Sequence, residues 1–554
     1  MMDSTTTTPA PGTLEAAFKE IEWLKAENAA LRTLTAEQAE QIRIMNLREY
    51  GRSSEKKLSG EDIRQGRLFD EAELHSSPPE EPPVLETVRV RNTTYQRRKP
   101  GRKKIADTLA RVDVVADLSE DEKKVDDGYE LVKIGEDVSE QVHEVPQKYI
   151  VIKTIRPKYV KRPVGPSRIR NEEQSQTTIL SAPLPPRMLP RSIATPSLLA
   201  HVLAGKFCDG LPFYRQEKIF ARHGLIISRQ DMANWTIAVS KRLESIIGLL
   251  SEALLESPYL NCDETWFQVM DEPGRENTAK SFMWVMAGGG TIPGKPRVVL
   301  YRYSRTRAAA FINSFLEAYT GYLQTDGYAG YNAIGEKDGI YHAGCWAHAR
   351  RKFVEAHEAA SGHGHAHEMV SLIQGLYKIE SELRQKYFGE GGLMDLDGFV
   401  DERRVAAGPV LARIKEWLDQ YADLVLPSSA LGKAIAYTRE IWERLVRYLD
   451  SAWLTPDNNL AERSIRPFTV GRKNWVLSGG PRGAFASADL YSIIETAKLN
   501  GLDPYYYLRY LFTKLPTISE AEYPSLLPWN IDPQDFHSLI IEDARLSLAA
   551  ISIA

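Results

Sequence analysis

Three acidic residues have types and surroundings suited to chemistry on phosphate: Asp263 in "NCDETW", Asp326 in "QTDGY" and Glu462 in "PDNNLAERSIRPFTVGRKNW" (456–475). Two carboxylates brought close together repel, and each resists ionising unless cations bridge them. Hard oxygen donors of this kind suit Mg²⁺ or Mn²⁺. Two such ions can activate an attacking oxygen and stabilise a leaving one in an in-line phosphoryl displacement. Glu462 is preceded by Asn458 and Asn459 and followed by Arg463, Arg466, Arg472 and Lys473, a set that could orient a ligand and hold phosphate. Paired carboxylates also serve glycoside hydrolysis, but the surrounding cations favour phosphate. Each acid alone has a plain structural explanation: an ion pair for Asp263, a turn cap for Asp326, a surface salt bridge for Glu462. Only their joint placement argues for a site.

That placement depends on the elements that carry them. "PYLNCDETWFQVM", "SFMWVMAGG" and "RVVLYRYS" read as three strands joined by short turns. A helix at 308–319 follows, then strands in "YLQTDGYAGY" and "GIYHAGCW". A meander, a crossover helix and a fourth strand parallel to the first is the order of a ribonuclease-H-like sheet. It would set Asp263 and Asp326 on adjacent strands. Residues 356–455 carry a helical pattern and no strand signal, as a helical insertion would. A helix then begins at "LTPDNNLAERSIR", with Thr455 as cap, Pro456 at its first position, and Pro467 ending it. Asn458, Glu462 and Arg466 would share one face.

Upstream, "PSLLAHVLAGKFCDG", "PFYRQEKIFARHG" and "SRQDMANWTIAVSKRL" read as three helices, the last opened by Ser228 with Asp231 in a capping box. This is helix-turn-helix spacing, with Arg229, Gln230 and Asn234 on the first turns of the recognition helix. Further N-terminal, two heptad seams run through 14–48: Leu14, Ile21, Asn28, Thr35 and Ile42, and Ala17, Leu24, Leu31, Gln38 and Met45. They predict a paired coiled coil, with Asn28 setting the register. "SSPPEEPP" (76–83) reads as a linker. "RVRNTTYQRRKPGRKK" (89–104) contains Arg97, Arg98, Lys99, Arg102, Lys103 and Lys104 and no acid, as a phosphate-binding arm would. Residues 112–162 alternate like short strands.

With 554 residues, several domains are expected. A net charge of −4 says nothing for nucleic acid by itself; the uneven placement of the cations does. No run approaches a membrane-spanning length and the N-terminus lacks a secretory pattern, so a cytoplasmic protein with no membrane partner is expected. Three scattered cysteines allow neither a disulfide framework nor a four-cysteine zinc site.

"NCDETWFQV", "QTDGYAGYNAI", "GCWAHARRKFVEA" and "DNNLAERSIRPFTVGRKNWVLSGG" resemble the DDE transposases of the insertion-sequence sixty-six family. The likeness extends through "YGRSSEK" and "GEDVSEQ" to "ETAKLNGLDPYYYLRYLF". It implies an element-encoded transposase with a ribonuclease-H-like core and a metal-binding triad at Asp263, Asp326 and Glu462. It also implies accessory proteins from the same element. Members of that family commonly carry a cysteine-rich zinc module after the basic linker. In this chain "KKVDDGYELVKIGEDVSEQ" and "RPKYVKRPVG" hold no cysteine, so no zinc is expected.

Three signals resemble sites without completing them. "GGTIPGKP" has Pro296 where a phosphate-binding loop needs a hydroxyl, and reads as a hairpin turn. "SGHGHAHE" reads as a solvated histidine loop. Cys345 and His348 have zinc-like spacing without a second pair, so Cys345 reads as core, while His348, Arg350 and Arg351 are placed at the DNA or the active site.

The resulting expectation is a multidomain α+β protein. Its parts are a coiled coil (1–50), a linker with a basic arm (51–106), a small β-rich module (107–165), a linker (166–194), a helix-turn-helix-like domain (195–256), a catalytic core (257–355 and 456–500) interrupted by a helical insertion (356–455), and a C-terminal tail (501–554). It would act as a DNA transposase using two Mg²⁺ or Mn²⁺ ions, on element-end inverted repeats and target DNA, as a homodimer or larger assembly. A nuclease without strand transfer, or a DNA-binding regulator with a decayed core, would share much of this sequence.

Overall fold

The computed structural model describes residues 149–160, 179–289, 296–360, 364–389 and 392–551. The heptad segment, the basic arm with Arg97, Arg98, Lys99, Arg102, Lys103 and Lys104, and most of the β-rich module lie outside the described residues. Apart from 149–152, the described residues belong to one unit.

β1 (Lys158–Val160) pairs antiparallel with β2 (Ile179–Ser181), so part of the stretch expected to be linker is a short strand. Four helices follow: α1 (Pro196–Phe207), α2 (Phe213–Arg222), α3 (Arg229–Arg242) and α4 (Glu244–Leu255). Thr195 caps α1, with Pro196 at the first helical position. Ser228 and Asp231 form the reciprocal capping box of α3. These helices are not a separate domain. Leu199, Leu203 and Phe207 of α1, Val239 of α3 and Ile246 and Leu250 of α4 share one core with the sheet. Their apolar faces are too short to make a core of their own.

The sheet is built from β3 (Tyr259–Val269), β4 (Lys280–Gly288), β5 (Val298–Ser304), β6 (Gly321–Gln324) and β7 (Ile340–Ala343), in spatial order β5-β4-β3-β6-β7. The first three strands form an antiparallel meander. The crossover through α5 (Ala309–Phe315) brings β6 parallel to β3; α6 (Asn332–Gly335) then leads to β7, parallel to β6. β4 and β5 flank "GGTIPGKP", whose 290–295 lie outside the described residues.

Five helices come next: α7 (Trp346–Ala359), α8 (Ala366–Phe388), α9 (Leu396–Ala422), α10 (Ala430–Glu440) and α11 (Trp442–Val446). They enclose a second core around Trp346, Phe353, Ile373, Leu411, Ile414 and Leu418.

α12 (Asn459–Trp475) starts later and ends later than the sequence suggests. The Thr455 hydroxyl is used on the carbonyl of Asp457 instead of capping the helix. Pro467 lies within the helix, which continues because Phe468, Thr469, Gly471 and Arg472 are buried beyond it. That packing outweighs the roughly 3 kcal/mol an internal proline can cost. Val476, at φ 66°, ends α12; this is costly backbone for a β-branched residue. It is fixed by β8 (Leu477–Ser478), which pairs with the far end of β3.

α13 (Pro481–Leu499) covers the outer edge of the sheet. Its Ser492 hydroxyl accepts from the Tyr301 amide at 2.8 Å, and Thr496 both accepts from the Val299 amide and donates to the Val299 carbonyl. These bonds occupy the backbone groups a bare edge strand would present to other chains. α14 (Pro504–Lys514) and α15 (Pro533–Ile551) complete the chain. The expected C-terminal tail is therefore corrected for α14: Tyr507, Leu508, Leu511 and Phe512 are buried in the first core, where the aromatic run "PYYYLRYLF" finds an apolar partner.

Candidate active site

Strand alternation divides the side chains of β3 between two faces. Asn261, Asp263 and Thr265 point toward α12. Asn261 donates to Asn458 Oδ1 at 2.8 Å, and Arg472 Nη1 donates to the Thr265 hydroxyl at 3.3 Å. Asp263 lies between these two anchors, where it feels the charge of Glu462. Asn458 also donates from Nδ2 to the Cys262 carbonyl at 2.8 Å, which ties the start of α12 to the middle of β3.

Adjacent β6 contributes in register. Gln324 lies opposite Asn261, and the two amides share a 3.0 Å hydrogen bond. Gln324 also donates to the carbonyls of Gly344 and Thr455, joining β6, the end of β7 and the entry to α12. Two residues on, Asp326 sits where β6 ends; its carboxylate accepts from the Tyr328 amide at 2.9 Å.

The structure thus brings Asp263, Asp326 and Glu462 together. Glu462 is buried, while Asp263 and Asp326 are partly exposed. Burial, with the charges of Glu264, Glu462 and Asp326, pushes Asp263 well above the usual carboxylate range. Its carboxylate accepts one hydrogen bond among the described residues, from the Glu264 amide at 2.8 Å. Burial also raises Asp326, while the Tyr328 amide and the charges of Arg307, Arg351 and Lys352 pull it back. A cluster of carboxylate oxygens of this kind is suited to divalent cations.

The remaining expected site residues fall into three groups. His348 and Asn458 lie inside the site: His348 Nδ1 faces Glu462 Oε1 at 3.5 Å, and burial lowers its pKa to about 3, so the ring is neutral. Asn459 is buried, and its amide donates to Asp457 Oδ1. Arg350 and Arg351 are half-buried on α7, while Arg463 and Lys473 are exposed on α12 and Arg466 is half-buried. Arg229, Gln230 and Asn234 are exposed on α3, where Gln230 donates to Asn234 at 3.2 Å. Arg472 is a correction. Expected at the DNA surface, it is buried, donates to the Trp266 carbonyl and stacks on the Trp266 ring at 4.9 Å. Helical periodicity turns it toward the sheet, away from Lys473.

Sequence reasoning missed Asn261, Gln324, Arg307 and Lys352. The first two carried a usable signal, being buried amides within strands of the sheet. Arg307 pairs with Glu264 at 2.5 Å and lies over the Tyr328 ring at 3.7 Å, placing its charge near Asp326. Lys352 lies over the Tyr437 ring at 4.5 Å.

Known proteins resemble this chain in sequence. The description "Transposase IS66 family" matches residues 191–486, and the chain belongs to that family. The IS66 C-terminal element matches 492–529, and "Transposase C of IS166 homeodomain" matches 37–114. Two relatives are uncharacterized proteins of Sinorhizobium fredii. One, y4qI, is 30% identical over 535 residues, covering 94% of this chain and 93% of its own. The other, y4jD, is 33% identical over 413 residues, covering 72% and 76%. The "zinc-finger binding domain of transposase IS66" matches 126–160. That match runs against the expectation of no zinc, although the stretch contains no cysteine. Among the described residues, no helix is long and apolar enough to cross a membrane.

Proposed function

We propose that this transposase cuts DNA at the ends of its element and joins the freed 3′-hydroxyls to target DNA, using Asp263, Asp326 and Glu462 as its catalytic acids. The observation that carries this reading is the convergence of the three carboxylates from β3, β6 and α12, with no cation paired to Asp263 among the described residues. The strand order β5-β4-β3-β6-β7, with β3 and β6 parallel, supports a ribonuclease-H-like core.

The three carboxylates would hold Mg²⁺ or Mn²⁺, which when bound activates the attacking oxygen and stabilises the leaving one. The chain's own residues do the positioning. Asn458, Asn261 and Gln324 fix α12 against β3 and β6, so Glu462 reaches Asp263 without a flexible tether. Arg351 and Lys352, whose charges reach Asp326, and exposed Arg463 and Lys473 on α12 hold phosphates. Water attacks the first phosphodiester and leaves a 3′-hydroxyl; that hydroxyl attacks a target phosphodiester, conserving the number of ester bonds in the second step. Exposed Arg229, Gln230 and Asn234 on α3 read element ends, with the arm at 97–104 gripping the backbone. The heptad segment pairs two protomers so that both ends are processed together, and accessory proteins of the element assist.

The test is a plasmid carrying the element's ends, incubated with purified full-length protein and Mg²⁺ or Mn²⁺. Cleavage and joined products from the wild type, both absent with Glu462→Gln, support the reading. Equal cleavage by both proteins removes Glu462 from it. Cleavage without joining makes the protein a nuclease, and binding of the ends without cleavage, even with the accessory proteins, makes it a regulator.

A further inference from the structure

Glu462 also has neighbours on α7 and at its start. Cys345 follows β7 and caps α7, and His348 lies three residues on, in the first turn of that helix. The Cys345 sulfur, a ring nitrogen of His348 and a carboxylate oxygen of Glu462 all lie within 4.8 Å of one another. Cys345 and Glu462 are buried, at 0% and 1% exposure. His348 Nδ1 is also buried and makes no hydrogen bond.

A thiol, a neutral imidazole and a carboxylate are a poor set for Mg²⁺, which takes oxygen donors. They suit the zinc class, which accepts sulfur, nitrogen and oxygen together. Bonds of about 2.0–2.3 Å in tetrahedral geometry put ligand atoms roughly 3.3–3.8 Å apart. A contraction of about an ångström from the observed spacing completes such a shell. Burial and the charges of Glu462 and Asp457 hold the Cys345 thiol protonated while no cation is bound, and the Asn458 amide, donating to Cys345 Sγ at 3.2 Å, is in place to stabilise the sulfur when a cation takes the proton's place.

We propose that Cys345, His348 and Glu462 form a binding site for a thiophilic divalent cation of the zinc class, with a fourth position left to water. Binding breaks the Cys345 S–H bond, forms a sulfur–metal bond and releases the proton to solvent, with no change of oxidation state. Glu462 is then shared between two sites of opposite preference. Occupancy of the soft site draws it away from Asp263 and Asp326, so zinc-class ions inhibit cutting supported by Mg²⁺. That consequence rests on the catalytic role proposed for Glu462; the binding itself does not.

The decisive experiment is a Co²⁺ titration of the full-length protein in excess Mg²⁺, without DNA, read by absorbance. The expected result is a near-ultraviolet thiolate-to-Co²⁺ band that saturates at one ion per chain and is bleached by Zn²⁺. The chain has only three cysteines, so the source of the band can be assigned. Cys345→Ser abolishes it, Cys208→Ser retains it, and His348→Asn weakens Co²⁺ binding about tenfold or more. A wild type without the band, or a band that survives Cys345→Ser, overturns the site. If Cys345→Ser does not fold, unchanged affinity in His348→Asn overturns it instead. In the plasmid assay, inhibition of Mg²⁺-supported cutting follows the same Zn²⁺ midpoint as the bleaching. Uninhibited cutting at saturating Zn²⁺ overturns the sharing of Glu462. A band in a protein that never cuts supports the site and counts against the catalytic reading.

Discussion

Asp263 and Glu264 are consecutive residues of one strand, and the protein treats their carboxylates in opposite ways. Glu264 faces away from α12, is anchored by Arg307 at 2.5 Å and accepts from the Tyr331 hydroxyl at 2.5 Å. Burial and the charge of Asp326 raise its pKa, and Arg307 and Tyr331 pull it back. Asp263 faces α12 and meets the charges of Glu462 and Asp326, with one backbone amide to oppose them. One carboxylate is neutralised by the fold and helps hold it together. The other has only a backbone amide against it among the described residues, and on the reading proposed above it awaits a cation. Within a pair this close in sequence, the useful signature is the missing counter-charge, not the acid itself.

Substitutions should separate the two behaviours. Asp263→Asn, Asp326→Asn and Glu462→Gln each lower end cleavage by roughly 10³-fold or more while leaving the circular-dichroism spectrum native. Glu264→Gln does the reverse. It lowers the melting temperature, at a cost of about 1–3 kcal/mol, reduced because the Arg307 side chain is 41% exposed and solvent screens the pair. If Glu264→Gln leaves the melting temperature unchanged and Asp263→Asn lowers it, the comparison fails. Asn458→Ala removes two buried hydrogen bonds to β3 and is expected to cost about 2–3 kcal/mol, with cleavage falling in step as Glu462 loses its anchor.

A third measurement uses pH. The folded-state pKa of Asp263 lies above its unfolded value, so the metal-free protein holds a proton where the unfolded chain has lost it. Stability from this group therefore falls as pH rises from the usual aspartate range, about 3.9, toward neutrality. Melting curves across that range should show a shallower decline for Asp263→Asn than for wild type, and added Mg²⁺ should flatten the wild-type decline. Parallel curves would mean that Asp263 is not the strained acid. The smallest effect is expected on α12: Lys473→Ala leaves the melting temperature unchanged but lowers the salt dependence of DNA binding by about one phosphate contact. Arg472→Ala lowers the melting temperature instead, because it strips the Trp266 carbonyl of its donor.

The strand run from Tyr259 to Ser304, the parallel placement of β6 and the capping box at Ser228 were all legible, because alternation and turn residues are local signals. The convergence of Asp263 and Asp326 followed from that topology. What was hidden is contact-dependent. Nothing local says that Arg472 stacks inward while its neighbour Lys473 stays in solvent, or that Pro467 is carried through a helix by the buried residues beyond it. Helices α1, α3 and α14 read as pieces of separate regions because an apolar helix face does not say in sequence what it packs against. Only the shared core around Phe207, Val239 and Leu511 shows that they belong with the sheet. The contact of His348 with Glu462 could not be read, since the four helices α8–α11 intervene in sequence.

The hydrogen bonds from Asn458 to Asn261 and Cys262 connect residues 197 and 196 positions apart. Contacts so distant close late, since the chain must lose its entropy before it gains them. During translation, Asp263 and Asp326 leave the ribosome well before Glu462, by an interval on the order of ten seconds at about 5–20 residues per second. On the reading proposed above, a nascent or prematurely terminated chain has two of its acids and no means of scission. On that reading the long excursion through α8–α11 sets an interval in which the chain holds part of the site and cannot yet use it.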